Sequence, residues 1–303
     1  MRNLLLCLLL GLLSWPVQGD APSSRNGLHL VASIEPVAMV LRELLHGLPE
    51  DEVRVSTLLA PNQNMHHVSF TPGQARALRQ ADLVVWLGAE AEPQVGALVR
   101  RHGQADLALT DLPGIYRRDG DEGHVHEHDG HHHHHDSLLD PHLWLYPDNM
   151  LRLAQALAAH PVVADLPDWP ARLARFDARL AAAVQEAERT LAPHRGQPYL
   201  SHHDAWAYFA DAFQISRPLI ITHNVEASAS SRRFAELYRS MQQDGVRCVM
   251  AEPEGRRSLL ERLCGEDCQL VEADPLGRDL GGADYSVLLT HLATRFSGCL
   301  AGP

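Results

Sequence analysis

Leu28-His29-Leu30-Val31-Ala32-Ser33-Ile34, followed at once by Glu35-Pro36, is the stretch that decides the fold. A short apolar run rich in branched residues leads into residues 37–48, where apolar positions recur at helical spacing. That is a strand feeding a helix. Working outward, residues 53–59 read as the next strand, residues 72–80 as a helix opened by Pro72, and Ala81-Asp82-Leu83-Val84-Val85-Trp86-Leu87-Gly88 as a third strand. A helix over 92–101 and a short strand over 107–112 continue the series. Such alternation predicts a parallel sheet covered by helices on both faces.

After residue 146 the alternation resumes. Residues 147–160 read as a helix, and residues 167–191 as a much longer one, with Leu173, Phe176, Leu180, Ala183, Val184 and Ala187 three or four apart. Asp168 is the expected N-cap, Trp169-Pro170 fits the first turn, and Pro193 ends the run. At 1.5 Å per residue this helix spans roughly 35 Å, enough to join two lobes as a stiff strut and to disfavour wide hinge closure. Strands over 199–201, 217–221, 246–252 and 269–273 then alternate with helices over 205–213, 230–244 and 255–263. The expected class is α/β: two similar lobes with parallel sheets flanked by helices, joined by one long rigid helix. The N-terminal lobe is assigned to residues 27–147, the linking helix to 165–192 and the C-terminal lobe to 198–303. Ligands of open parallel sheets bind beyond the carboxyl ends of the strands, so the site is expected in the interlobe cleft.

A chain of 303 residues, 45% apolar, suits about two domains. A net charge of -12 without Lys/Arg clusters argues against nucleic acid and favours cations as partners. Met1-Arg2-Asn3, the apolar run 4–13 and small residues at Val17 and Gly19 fit a secretory signal over 1–19, cleaved after Gly19; the run is too short to span a bilayer. Cys7 leaves with it. Four cysteines remain, an even number in an exported chain, so two disulfides are expected. Of three possible pairings, Cys248 with Cys299 closes a long loop and Cys264 with Cys268 a short one, and this pairing is favoured. A four-thiolate zinc site is the alternative, but the usual short CxxC spacings are missing.

Histidines dominate the polar chemistry. Residues 118–137 form a polar, His-rich loop containing His124, His126, His128, His131, His132, His133, His134 and His135, interleaved with Glu127, Asp129 and Asp136. It is too polar to fold alone and offers many weak metal sites. Elsewhere, His66 and His67 follow a predicted strand, His142 lies beyond the tract, His203 ends the strand 199–201, and Asp274 ends the strand 269–273. If the lobes pack as expected, these positions converge. Three imidazoles and a carboxylate suit zinc better than manganese or iron. His223 could face the cleft as an accessory group.

At these residues the chain resembles the periplasmic zinc-binding proteins of bacterial high-affinity zinc ABC importers, the ZnuA-like cluster A-I or cluster 9 solute-binding family. The resemblance rests on Val31-Ala32-Ser33-Ile34-Glu35-Pro36, His66 six residues before Pro72, residues 81–88, His142-Leu143-Trp144-Leu145 and His203-Asp204-Ala205-Trp206-Ala207-Tyr208-Phe209. It continues through Cys248-Val249-Met250-Ala251-Glu252-Pro253, Asp274-Pro275-Leu276-Gly277 and Cys299-Leu300. It implies His66, His142 and His203 as imidazole ligands, Asp274 at the position that completes the site in related proteins, Cys248–Cys299 as the family disulfide, and the His-rich loop as a secondary zinc sink or sensor. Met65 and Val68 stand where zinc members often carry a carboxylate and an aromatic, so Asp274, His67 or water is left as the fourth ligand.

The implied task is capture of Zn(2+) in the periplasm by a monomeric binding protein and delivery to an ABC permease, with no catalysis. A secreted zinc hydrolase is the competing class, but no HExxH helix is present and only Glu226 or Asp204 could serve as base. A periplasmic zinc buffer without a transporter would share the site and differ in partner.

Overall fold

The protein is described by a computed structural model over residues 27–102, 105–118, 139–222 and 231–303. The expected signal segment, the His-rich tract, His223 and Glu226 lie outside these residues.

Two four-stranded parallel sheets organise the chain. The first contains β1 (Leu28–Ala32), β2 (Val53–Thr57), β3 (Leu83–Trp86) and β4 (Asp106–Ala108) in the order β2-β1-β3-β4. The second contains β5 (Leu200–Ser201), β6 (Leu219–Ile220), β7 (Cys248–Ala251) and β8 (Gln269–Glu272) in the order β6-β5-β7-β8. The two sheets therefore share one topology. Strands β3 and β7 are buried along their whole length, as expected for strands covered on both faces.

Helices α1 (Glu35–Leu45), α2 (Pro72–Arg79), α3 (Pro93–His102) and α4 (Pro147–Ala158) accompany the first sheet, and α5 (Trp169–Leu191) follows. Helices α6 (Ala207–Phe213), α7 (Ser231–Asp244), α8 (Arg257–Cys264) and α9 (Tyr285–Leu300) belong to the second half. Helix α5 buries Phe176, Leu180, Ala183, Ala187 and Leu191 along one stripe and packs most extensively against α9. Arg172 on α5 also donates to Leu44 O and His46 O at 3.2 and 2.9 Å, satisfying carbonyls at the end of α1. One core cluster runs from Leu30 and Val85 of the first sheet through α1, α4, α5, α6 and α9 to Cys248 and Met250 of the second. The linking helix is thus embedded in a core common to both halves.

Two expectations need correction, and one helix had no counterpart in the sequence reading. Only Asp106–Ala108 is strand in the predicted 107–112 segment; Leu109–Asp111 turns into a 3-10 helix, closed by the Leu112 N–H on Leu109 O. Asp168 precedes α5 in a left-handed conformation, φ 63°, and its side chain does not cap the helix. Helix α9 was not anticipated from the sequence: eight of its residues are buried, so its apolar arc is too wide to stand out as a stripe. Both expected disulfides are present, Cys248–Cys299 between β7 and α9, and Cys264–Cys268 between the end of α8 and the segment leading to β8.

Candidate metal centre

The segment joining β2 to α2 carries His66, and side-chain amides brace it. Thr71 caps α2 in a capping box with Gln74, and Gln74 Nε2 donates to Leu58 O and Gln63 Oε1, both at 2.6 Å. Gln63 in turn accepts the Ala60 N–H at 2.9 Å, and Asn64 Oδ1 accepts the His66 N–H at 2.8 Å. These bonds hold His66 over the carboxyl ends of the first sheet.

His142 lies just before a 3-10 turn, Leu143–Leu145, and is buried. Its Nδ1 lies 2.8 Å from Asp140 Oδ1, which also accepts the His142 N–H at 3.0 Å. His203 follows β5, with Nδ1 3.0 Å from Glu252 Oε2. Glu252 follows β7, is fully buried, and accepts further hydrogen bonds from Ser201 Oγ and from Trp206 Nε1. A carboxylate bonded to one ring nitrogen fixes the tautomer and turns the other nitrogen outward as a ligand. Both buried histidines have this arrangement.

The three rings face one another. Centroids of His66 and His142 are 5.2 Å apart, and each of the other two pairs is 5.4 Å apart. One nitrogen from each ring lies within 4.8 Å of the others, so small ring movements would bring them to the roughly 3.3 Å spacing of nitrogens around tetrahedral zinc. His203 Nε2 is buried with no hydrogen-bond partner among the described residues. An unsatisfied buried acceptor costs about 1–3 kcal/mol, and a cation among these nitrogens would remove that cost.

The electrostatics set the clustered rings apart. Burial, then repulsion from His142, His203 and His67, lowers the His66 pKa to about 2, so this ring stays neutral. Burial alone would also lower His203, but the Glu252 charge and hydrogen bond outweigh it and raise its pKa above 6.5. Glu252 is the reciprocal case, pushed up by burial but held below the usual carboxylate range by His203 and its hydrogen-bond donors.

The remaining expected site residues are placed differently. His67 is exposed and outside the three-histidine group. Asp274 is buried beyond β8 but also outside that group, and its carboxylate is paired with Arg278. Asp140, Glu252 and Arg278 were not singled out from the sequence. Asp140 stands two residues before His142, a usable signal, whereas Glu252 is recognisable only once β5 and β7 pair.

The family described as "ZnuA: Zinc-uptake complex component A periplasmic" matches residues 30–299. The "High-affinity zinc uptake system protein ZnuA" of Yersinia pestis is 27% identical, covering 89% of this chain and 91% of the relative. Its Paracoccus denitrificans namesake is 28% identical, with 98% of each chain covered. Among solved structures, "Crystal structure of ZnuA" superposes with TM-score 0.73 at 23% identity, covering 90% of this chain and 99% of the other. A manganese-bound periplasmic metal-binding protein of Candidatus Liberibacter asiaticus superposes with TM-score 0.69 at 17% identity, covering 90% and 99%, so the fold accompanies more than one metal. With the family matched over nearly the whole chain, this protein belongs to the periplasmic A components of zinc-uptake complexes, which are solute-binding proteins and not enzymes.

Proposed function

We propose that this chain captures Zn(2+) through His66 Nε2 or Nδ1, His142 Nε2 and His203 Nε2, with water in the fourth position, and delivers it to the membrane permease of an ABC importer. The observation that carries the reading is the near-equilateral triangle of imidazoles, two of them oriented by buried carboxylates. An all-nitrogen set suits zinc, and an open fourth position allows release. His67 stays outside the coordination sphere. The exported chain loses residues 1–19, works in the periplasm as a monomer and has no nucleic-acid partner.

The division into lobes 27–147 and 198–303 with a linker over 165–192 belongs to the same reading, supported by the repeated strand order. Residues 124–135, with His223, supply weaker accessory sites. The described flanks of the tract meet beside His142, where the Asp140 N–H donates to Arg118 O at 3.0 Å.

Zinc titration of the full chain, a His66→Ala variant and a variant lacking residues 124–135 tests the assignment. One tight equivalent is expected, lost with His66 and retained without the tract. Tight binding that survives His66→Ala and disappears with the tract would sink it.

A further inference from the structure

Asp274 stands at the same strand-end rim as the ligand histidines, since β8 pairs with β7 and β7 with β5. Yet neither of its oxygens is available. Oδ1 accepts the Leu276 N–H at 3.0 Å and Arg278 Nη2 at 2.9 Å, while Oδ2 accepts the Arg278 N–H and Arg278 Nε, both at 2.8 Å. A carboxylate offers about four acceptor positions, and all four are used.

The backbone is shaped for this pairing. The Gly277 N–H closes a turn on Asp274 O at 3.0 Å, and Gly277 has φ 62°. A Cβ there would lie 2.8 Å from Leu288 Cδ1, so glycine answers both the conformation and the space. The turn brings Arg278 back onto the residue that starts it. The other side of the guanidinium lies 2.7 Å from Glu254 Oε1 and donates to Gln63 O at 3.4 Å, in the segment that carries His66. Arg278 therefore bridges Asp274, Glu254 and the segment that carries His66. Guanidinium does not lose a proton in proteins, so an incoming ion cannot clear it by proton release as it can an imidazolium.

We propose that Arg278 is a specificity-determining residue: its fork on Asp274 keeps carboxylate oxygen out of the coordination sphere, leaves an all-imidazole set, and so favours zinc over manganese. The inference rests on the three-histidine site proposed above. Imidazole suits zinc, whereas manganese prefers carboxylate, carbonyl and water oxygens in a six-coordinate shell. Removing the fork vacates one acceptor position on each Asp274 oxygen while the backbone N–H groups hold the other two. The freed carboxylate is then a ligand that manganese gains from more than zinc.

The test measures zinc affinity by chelator competition and manganese affinity by electron paramagnetic resonance of the free aqueous ion, on wild type, Arg278→Gln, Asp274→Asn and the double variant. Arg278→Gln is expected to lower the zinc-to-manganese affinity ratio by about tenfold or more, and the double variant to restore it, because the gained ligand is Asp274. Asp274→Asn alone is expected to change zinc affinity by less than about threefold, far below the loss that follows removal of a ligand. An unchanged ratio in Arg278→Gln, or a more than tenfold zinc loss in Asp274→Asn, overturns the proposal; the second arm decides if Arg278→Gln does not fold. Zinc binding indifferent to His66→Ala would instead overturn the site itself, so the two failures are separable.

Discussion

At the scale of single residues, the three imidazoles are not equivalent. His66 is kept neutral by burial and by its neighbours, with a pKa of about 2, whereas the Glu252 charge raises His203 above 6.5. At the proposed site, zinc must then displace a proton from His203 but none from His66. Affinity is fully present above the raised His203 pKa and falls as pH drops through it, so the decline starts above pH 6.5, and zinc binding in that range releases the His203 proton. Isothermal titration in buffers of different ionisation enthalpy reads that proton directly. Glu252→Gln removes the counter-charge, so the decline is expected to move to lower pH while affinity at pH 8 falls about 10- to 100-fold. An unshifted pH profile would show that Glu252 does not set the His203 proton. Histidines at strand ends were legible in the sequence because strand periodicity locates them; their unequal charge states were not, because those depend on which buried carboxylate each ring meets.

At the scale of elements, the strands were legible because branched apolar runs bounded by glycine and proline have few other readings. Helix α9 was not, although it carries much of the packing. Its Phe296 is fully buried, with ring centroids 4.9 Å from Trp206, 5.1 Å from Phe209 and 5.3 Å from Tyr199. This cluster joins α9 to α6 and the entrance of β5, directly behind the His203–Glu252 pair. Phe296→Ala should cost about 3–5 kcal/mol, read as a lower midpoint in denaturant unfolding followed by circular dichroism. A loss below about 1 kcal/mol would show that the surroundings collapse onto the smaller side chain and leave little cavity. Trp206 also donates to Glu252, so the same packing supports the hydrogen bond that orients a ligand.

At the scale of the whole molecule, a common core through α5 and α9 runs through both halves, and the Cys248–Cys299 disulfide ties β7 to the last turn of α9. In the loop-entropy account a bridge across 51 positions is worth about 4 kcal/mol and one across 4 positions about 2 kcal/mol. Cys248→Ser with Cys299→Ser is therefore expected to destabilise the protein about twice as much as Cys264→Ser with Cys268→Ser, measured by chemical denaturation of both double variants. Equal losses would show that local strain, not chain entropy, governs both bridges. The sequence by itself determined the strand and helix alternation, an even set of four cysteines with one favoured pairing, and His66 and His203 placed beyond strands, because periodicity and spacing are local properties of a chain. Only the tertiary structure decided that Asp274 belongs to Arg278, that Asp140 and Glu252 orient the rings of His142 and His203, and that one core serves both sheets. Those facts depend on which distant groups compete for the same buried charge, and that competition exists only after the chain has folded.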